Sequence, residues 1–375
     1  MEKRFSSLPT PSYVIDEARL EENGKILQSI ARNTQCKILL AQKAFSNYDF
    51  YPLLSRFLDG SEASGLFEAR LGREQMPDKE VHVFSAAYRA DEFAEITRYA
   101  DHIVFNSISQ YRKYAPLAKG KSLGIRVNPE CSTQEGHAIY DPCAKGSRLG
   151  VTKANMEPIH VDGLHFHTLC EQNADALEIT LKAIEEKFPE LLEKVTWVNM
   201  GGGHHITRKD YDIPLLEKLI KDFKKKWNVE VYLEPGEAVA LNAGYLITRV
   251  LDIVHNGDTD IAILDASAAC HMPDVIEMPY KPPLYNSKDE GYAYRLAGPT
   301  CLAGDVIGDY CFDHKLEIDE LLVFEDMAIY TTCKNNTFNG MPLPNIYRLT
   351  KQNTFEQLTH FGYQDFKRRL GSTNH

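Results

Sequence analysis

Lys37-Ile-Leu-Leu-Ala-Gln-Lys43 is a short apolar run that closes on two polar residues. An uninterrupted run of this length reads as a strand buried on both faces, since an exposed strand would alternate and a helix would need more residues. Seven further runs of the same kind follow: Phe57–Glu62, Val81–Ser85, His102–Asn106, Ser122–Asn128, Gly163–His167, Thr196–Met200 and Val229–Leu233. Helix-like segments such as Asp91–Tyr99 and Ala174–Lys187 fill the intervals. Eight strands alternating with helices predict a (β/α)₈ barrel of the TIM type within an α/β fold class. Upstream, Ser12-Tyr-Val-Ile15 reads as a strand, and Asp16 caps a helix over Glu17–Ala31. Beyond Gly244 the texture changes. Tyr245–Val254 and Thr259–Asp265 are β-rich and separated by the turn signal Asn256-Gly-Asp258, and strands continue from Leu321 to Tyr330. With turn residues rather than helices joining them, these strands predict a separate antiparallel β domain.

The 375 residues suffice for a barrel and a smaller partner, and 43% hydrophobic with 25% charged residues is ordinary for a globular enzyme. A net charge of −11 argues against nucleic acid as a partner and is compatible with a cationic substrate. Met1 to Thr10 lacks the apolar core of a signal peptide, and no apolar run is long enough to span a bilayer. The eight cysteines are scattered without a C-x-x-C pair. Free thiols in a reducing cytoplasm are the expectation.

In a barrel enzyme the chemistry sits at the C-terminal ends of the strands. Lys43, Glu62, Asn128, His167, Gly201-Gly-Gly203 and Glu234-Pro-Gly-Glu237 all fall at such ends. A desolvated Lys43 would have a lowered pKa and a nucleophilic amine able to form an imine, although spacing alone favours a strand-end lysine reaching into solvent. The glycine triplet could bring backbone N–H groups to an anion, or be only a tight loop. Glu234 could keep a pyridine nitrogen protonated, or form a rim salt bridge. His165 and His167 share one strand face. With His204 and His205 they could ligate a metal, but no third ligand stands at a recognisable spacing, and no metal is expected. Cys301, in Gly298-Pro-Thr-Cys301, could transfer a proton, or be a buried structural thiol.

Together, Ala41-Gln-Lys43, Glu62-Ala-Ser64, Phe166-His167, Gly201-Gly-Gly203, Glu234-Pro-Gly236, Gly298-Pro-Thr-Cys301 and Asp326-Met-Ala-Ile-Tyr330 resemble, in this order, the fold-III pyridoxal-phosphate decarboxylases with an alanine-racemase-like barrel. Within that group, Gly163–Glu171 and Leu264–Asp274 most resemble the carboxynorspermidine/carboxyspermidine decarboxylases of polyamine biosynthesis. The resemblance implies pyridoxal 5'-phosphate as cofactor, carried as a Schiff base on Lys43 with Glu62 nearby. His167 would stack on the ring, Glu234 would pair with the ring nitrogen, Gly201 to Gly203 with Tyr330 would hold the phosphate, and Gly236 would belong to the cofactor site. Cys301 would reach the substrate α-carbon from the second subunit of a homodimer. Arg148 would meet Asp305 across the interface. Two departures point to a polycationic carboxy-triamine substrate. Glu237 replaces an arginine that binds phosphate in much of the group and is expected to face substrate. Leu302 replaces an acid of the ornithine and diaminopimelate enzymes, leaving Asp274, with Asp305, as substrate-contact candidates. The expected division is a cofactor-binding barrel over 17–243 and a β domain of 1–16 with 244–375. The alternatives are another basic amino-acid decarboxylase (diaminopimelate, ornithine or arginine), an amino-acid racemase, a cofactor-homeostasis protein and a metal-dependent hydrolase. Cys301 stands against the racemase, and the β domain against the cofactor-homeostasis protein.

Overall fold

The computed structural model describes residues 2–134 and 138–372. The chain divides into two compact units, residues 21–239 and residues 1–20 with 240–375. The first strand, β1 (Ser12–Asp16), belongs to the second unit. The next eight, β2 (Lys37–Ala41), β3 (Gly60–Ala63), β4 (Glu80–Phe84), β5 (His102–Phe105), β6 (Ser122–Arg126), β7 (Gly163–His165), β8 (Trp197–Asn199) and β9 (Glu230–Leu233), close into a parallel barrel in sequence order. Each of the eight apolar runs overlaps a strand, β3 and β4 extending one residue beyond theirs. Lys43, Asn128, His167 and the glycine triplet lie just past the last paired residue of their strands, on the turns into the following segments. The ladder ends there because the backbone leaves the sheet, and that departure puts their side chains on the rim.

The barrel is filled, not hollow. Leu39, Val104, Trp197 and Tyr232 form an apolar cluster inside it. Trp197 fits because Gly124 and Gly163 face it: a Cβ on Gly163 would lie 2.0 Å from the indole ring. Forcing a methyl group into such a contact costs about 1–3 kcal/mol or more. The indole N–H is satisfied by Ser122 Oγ at 2.8 Å. At the N-terminal strand ends, His82 and His102 stack with ring centroids 3.9 Å apart. There Lys37 joins Glu80 to Glu230, the latter at 3.2 Å.

In the other unit, β10 (Gly244–Asn256), β11 (Thr259–Leu264), β12 (Tyr292–Ala297), β13 (Val306–Phe312), β14 (Leu321–Glu325), β15 (Asn345–Leu349) and β16 (Phe355–Thr359) join β1. The order is β13-β12-β11-β10-β1-β15-β16, with β14 also on β10. Most pairs are antiparallel, but β1–β15 and β11–β12 are parallel, so the sheet is mixed. Long connections allow this: a hairpin forces antiparallel pairing, whereas the segment from Asp265 to Gly291 can cross over. That segment also departs from the expectation of turns alone, because it contains the one-turn helices Ala268–His271 and Asp274–Glu277, and Thr331–Lys334 is another after β14. One turn is too short to register as a 3.6-residue period. Phe5, Leu8, Val14, Tyr245, Ile247, Val323, Tyr347 and Leu349 form the core of this unit. Among the described residues no helix is long and apolar enough to cross a membrane.

Candidate active site

Lys43 is fixed by the residue before it. The Gln42 side-chain amide donates to the carbonyls of Glu62 (3.3 Å) and Glu68 (2.9 Å) and accepts from Tyr51 Oη (3.1 Å). Gly236 supports the same turn: a Cβ there would lie 2.6 Å from Ala44 Cβ. Lys43 Nζ lies 3.4 Å from Glu62 Oε2, and its side chain keeps 37% of its accessible area, so it faces a hollow at the rim. Sequence reasoning anticipated a lowered amine pKa; the structure reverses that sign. Burial pulls Lys43 down, but the carboxylates of Glu62 and Glu234 more than offset it, and the ammonium is stabilised. Glu62 is itself pushed up by burial, against the pull of Lys43 and with the repulsion of Glu234.

Glu234 behaves in the opposite way. It is buried too, but His165, Lys43 and His167 keep its pKa well below the usual carboxylate range. Its oxygens are oriented by Asn199 Nδ2, which donates at 2.6 Å, and His165 Nε2, which donates at 3.2 Å. A buried carboxylate aimed by two donors is a preorganised partner for a cationic ring nitrogen. Arg126, which sequence reasoning missed, balances the charge. Its guanidinium is buried, its pKa is lowered to about 10 by that burial, and it lies 4.6 Å over the Phe84 ring and donates to the His167 carbonyl at 3.1 Å. Arginine at the end of a short strand carries no distinguishing signal.

His167 Nδ1 accepts the Gly202 N–H at 2.8 Å, which fixes the neutral ring with its proton on Nε2. Burial, Lys43 and Arg126 all oppose charging it. The glycine triplet is needed where it stands: Gly201 and Gly203 have φ of 71° and 80°. A Cβ on Gly202 would lie 2.4 Å from the Glu234 carbonyl. Yet the Gly201 N–H goes to Asn199 Oδ1 (2.9 Å) and the Gly202 N–H to His167. Two of the three N–H groups therefore build the site and are not offered to an anion. A cavity of about 560 Å³, lined by Tyr140, Asp141, Lys145 and Arg148 among others, opens onto His167. Glu237 lies with Glu171 and His205, their ligand-type atoms within 4.8 Å of one another, in an acidic corner that sequence reasoning saw only in part. His204 is buried, with Nε2 3.4 Å from the Met200 carbonyl. Among the described residues His165, His167, His204 and His205 do not gather as a metal-ligand group.

In the sheet unit, Cys301 is exposed and donates its N–H to Asn339 Oδ1 at 2.6 Å. Its loop hangs on Asp305. That carboxylate is 2% exposed and accepts from Ser267 Oγ (2.9 Å), Ala269 N (3.1 Å) and Thr300 Oγ1 (2.7 Å). Gly298 leaves room for it, since a Cβ would meet Asp305 Oδ2 at 2.2 Å. So Asp305, a candidate for substrate contact from sequence, is enclosed by donors of its own unit. Asp274 is held by Lys334, which also holds Glu277. Leu302 is 44% exposed, and Tyr330 has a left-handed backbone with φ of 56°.

A family model for the pyridoxal-dependent decarboxylases, C-terminal sheet domain, matches residues 12–328. The chain is 42% identical over 97% of its length to a carboxynorspermidine/carboxyspermidine decarboxylase of Campylobacter jejuni, covering 99% of it. It is 40% identical to a carboxyaminopropylagmatine decarboxylase of Synechocystis, over 98% of this chain and 97% of that one. A crystal structure of the Campylobacter jejuni carboxynorspermidine decarboxylase complexed with norspermidine superposes with a TM-score of 0.90, covering 96% of this chain and all of that one. The barrel with a mixed sheet, the lysine at the end of the first barrel strand and the extent of these matches agree, and the chain belongs to the pyridoxal-dependent decarboxylases.

Proposed function

We propose that this enzyme decarboxylates carboxynorspermidine and/or carboxyspermidine, giving norspermidine or spermidine, with pyridoxal 5'-phosphate held on Lys43. The observation that carries the reading is the Lys43 amine facing a rim hollow between Glu62 and an ionised, doubly oriented Glu234, with a neutral His167 nearby. These residues fit the cofactor: a primary amine for its aldehyde, a carboxylate for its ring nitrogen and a flat imidazole for its ring face. Gly203, Gly236 and Tyr330 are our candidates for the phosphate. Bound there, the cofactor supplies an electron sink for the bond between the α-carbon and the carboxylate.

The chain's own groups do the rest. Lys43 must lose a proton before its nitrogen can react, and Glu62 in its ionised form, with Oε2 3.4 Å away and made more basic by burial, is the acceptor at hand. Glu234 keeps a proton on the ring nitrogen. As CO₂ leaves, Cys301 Sγ delivers the proton that replaces it at the α-carbon, across a homodimer as the family resemblance implies. Glu237 and Asp274 hold ammonium groups of the substrate by charge-assisted hydrogen bonds. Leu302 offers no charge to an amino-acid tail. Asp305 positions the Cys301 loop. The Synechocystis relative supports a second reading, carboxyaminopropylagmatine, in which a guanidinium replaces the terminal ammonium.

The deciding experiment measures CO₂ release from carboxynorspermidine, carboxyspermidine and carboxyaminopropylagmatine beside ornithine, arginine and diaminopimelate. Preference for a carboxy-polyamine is expected. Preference for diaminopimelate or ornithine would sink the reading.

A further inference from the structure

We propose that a cavity at the N-terminal end of the barrel, the end away from Lys43, is a binding site for a small phosphate-bearing anion, held by Arg32, Arg56 and Lys79. The cavity measures about 400 Å³ and is lined only by residues of the barrel unit. Arg32 comes from the last turn of the helix Glu17–Thr34, and Arg56 from the segment leading into β3. Lys79 immediately precedes β4, Lys37 opens β2 and Glu230 opens β9. Barrel chemistry belongs to the opposite strand ends, so this hollow is no part of the site around Lys43.

The polar groups left unused in its wall identify the ligand. The acceptors are taken by donors of the chain itself. Gln28 Nε2 donates to the Arg56 carbonyl and Gln35 Nε2 to the Arg32 carbonyl, each at 2.8 Å. Lys224 Nζ caps the helix-end carbonyls of Thr34 (3.2 Å) and Gln35. Glu230 accepts from Tyr232 Oη at 2.9 Å and lies 3.2 Å from Lys37 Nζ. Asp59 Oδ2 accepts the Ile38 N–H at 2.8 Å, and burial pushes its carboxyl above the ordinary value, which makes it a weak rival for the cations. By contrast, among the described residues the guanidiniums of Arg32 and Arg56 and the ammonium of Lys79 join no ion pair and donate no hydrogen bond. Arg56 has only the face of its neighbour Phe57, 5.5 Å away.

Three unpaired cations thus line one hollow in a chain whose net charge is −11. Like charges gathered in this way repel one another. A dianion placed among them relieves the repulsion and accepts charge-assisted hydrogen bonds from two forked guanidiniums and one ammonium. A phosphate group matches that set, with two charges and three terminal oxygens. A single carboxylate would leave part of it unanswered. The volume falls in the range of small-molecule pockets, which begins at about 300 Å³, so there is room for more than the phosphate itself.

The test uses the cofactor-loaded enzyme, so that added phosphate does not report on the cofactor's own site. Pyrophosphate and a nucleoside monophosphate are titrated at constant ionic strength, balanced with sodium chloride, and followed by calorimetry and thermal midpoint. Saturable binding with a rise in midpoint is expected. Tighter binding of the nucleotide would make the occupant an organic phosphate, and tighter binding of pyrophosphate an inorganic one. Arg32→Gln with Arg56→Gln should weaken binding at least about tenfold, the scale of losing one charge-assisted hydrogen bond. The same variant should keep the wild-type kcat and KM for carboxynorspermidine when no anion is added. A control removes two exposed lysines elsewhere on the barrel unit, Lys182→Gln with Lys218→Gln, and should bind as the wild type does. If the arginine double variant does not fold, Arg32→Gln alone, at an exposed helix position, carries the comparison. Absence of saturable binding overturns the proposal. So does undiminished binding in the arginine variant, or an equal loss in the lysine control, which would reduce the effect to general charge.

Discussion

Lys43 holds its proton more tightly than a free lysine, and Glu62 holds one more tightly than a free carboxylic acid. Sequence reasoning gave the Lys43 amine the opposite sign, because burial is legible in an apolar run while the nearness of the Glu62 and Glu234 carboxylates to that amine is not. Two outcomes follow at this scale. Lys43→Ala should lose the visible absorbance of lysine-held cofactor and, lacking the attachment point, at least about 10³ of its activity; a variant keeping the band and turning over normally would contradict the assignment. Glu62→Gln removes the nearest proton acceptor. Stopped-flow mixing of the apoenzyme with cofactor should then show slower growth of the band, by about 10²-fold, the low end for losing a general base. Loading at the wild-type rate would mean that Lys43 sheds its proton elsewhere.

The elements show how a loop is aimed. Asp305 draws in Ser267, Ala269 and Thr300, and with them the loop that carries Cys301. Truncation to alanine would leave buried donors unpaired, at about 1–3 kcal/mol each. A displacement of about 1 Å at a reacting group can cost about 10²-fold in rate. Asp305→Ala should therefore lower kcat far more than it raises KM, change the rate at which Cys301 is alkylated by iodoacetamide, and recover in part in Asp305→Asn. A kcat that holds while only the thermal midpoint drops would leave Asp305 a stabilising residue and no more. The motif around Cys301 was legible because it is contiguous. Ser267 and Asn339, which build its support, were not, because nothing in their own neighbourhoods marks them as neighbours of that loop. The barrel strands were legible for the converse reason: eight short runs at regular intervals permit few topologies.

For the whole molecule, pH is the relevant variable. Burial lowers the pKa of His102 to about 3 and of His204 and His271 to about 4, and lowers that of His165, from an ordinary value of 6.5. Each takes up a proton more readily in the unfolded chain. Their contribution to stability is thus full above about pH 6.5 and is lost as pH falls through 6.5 towards 4 and 3. Glu62, raised to about 8, acts in the opposite sense, but it is one group against several. Urea midpoints at pH 7.5, 6 and 5 should fall steadily; a flat profile would show that these imidazoles are not held neutral in the folded chain. Which strands of the sheet unit pair in parallel was not legible, since β1 meets β15 only after everything between them has been arranged.

That meeting has a consequence for how the chain is made. β1 leaves the ribosome before the barrel strands, yet its partners are β10 and β15, so both of its edges lie open from Asp16 until Gly244 and then Asn345 have been synthesised. The barrel, whose strands pair in order of appearance, can close while β1 waits. A translating cell would thus carry a finished barrel tethered to an unpaired, apolar leading strand, and that strand is where a chaperone would be expected to bind the nascent enzyme.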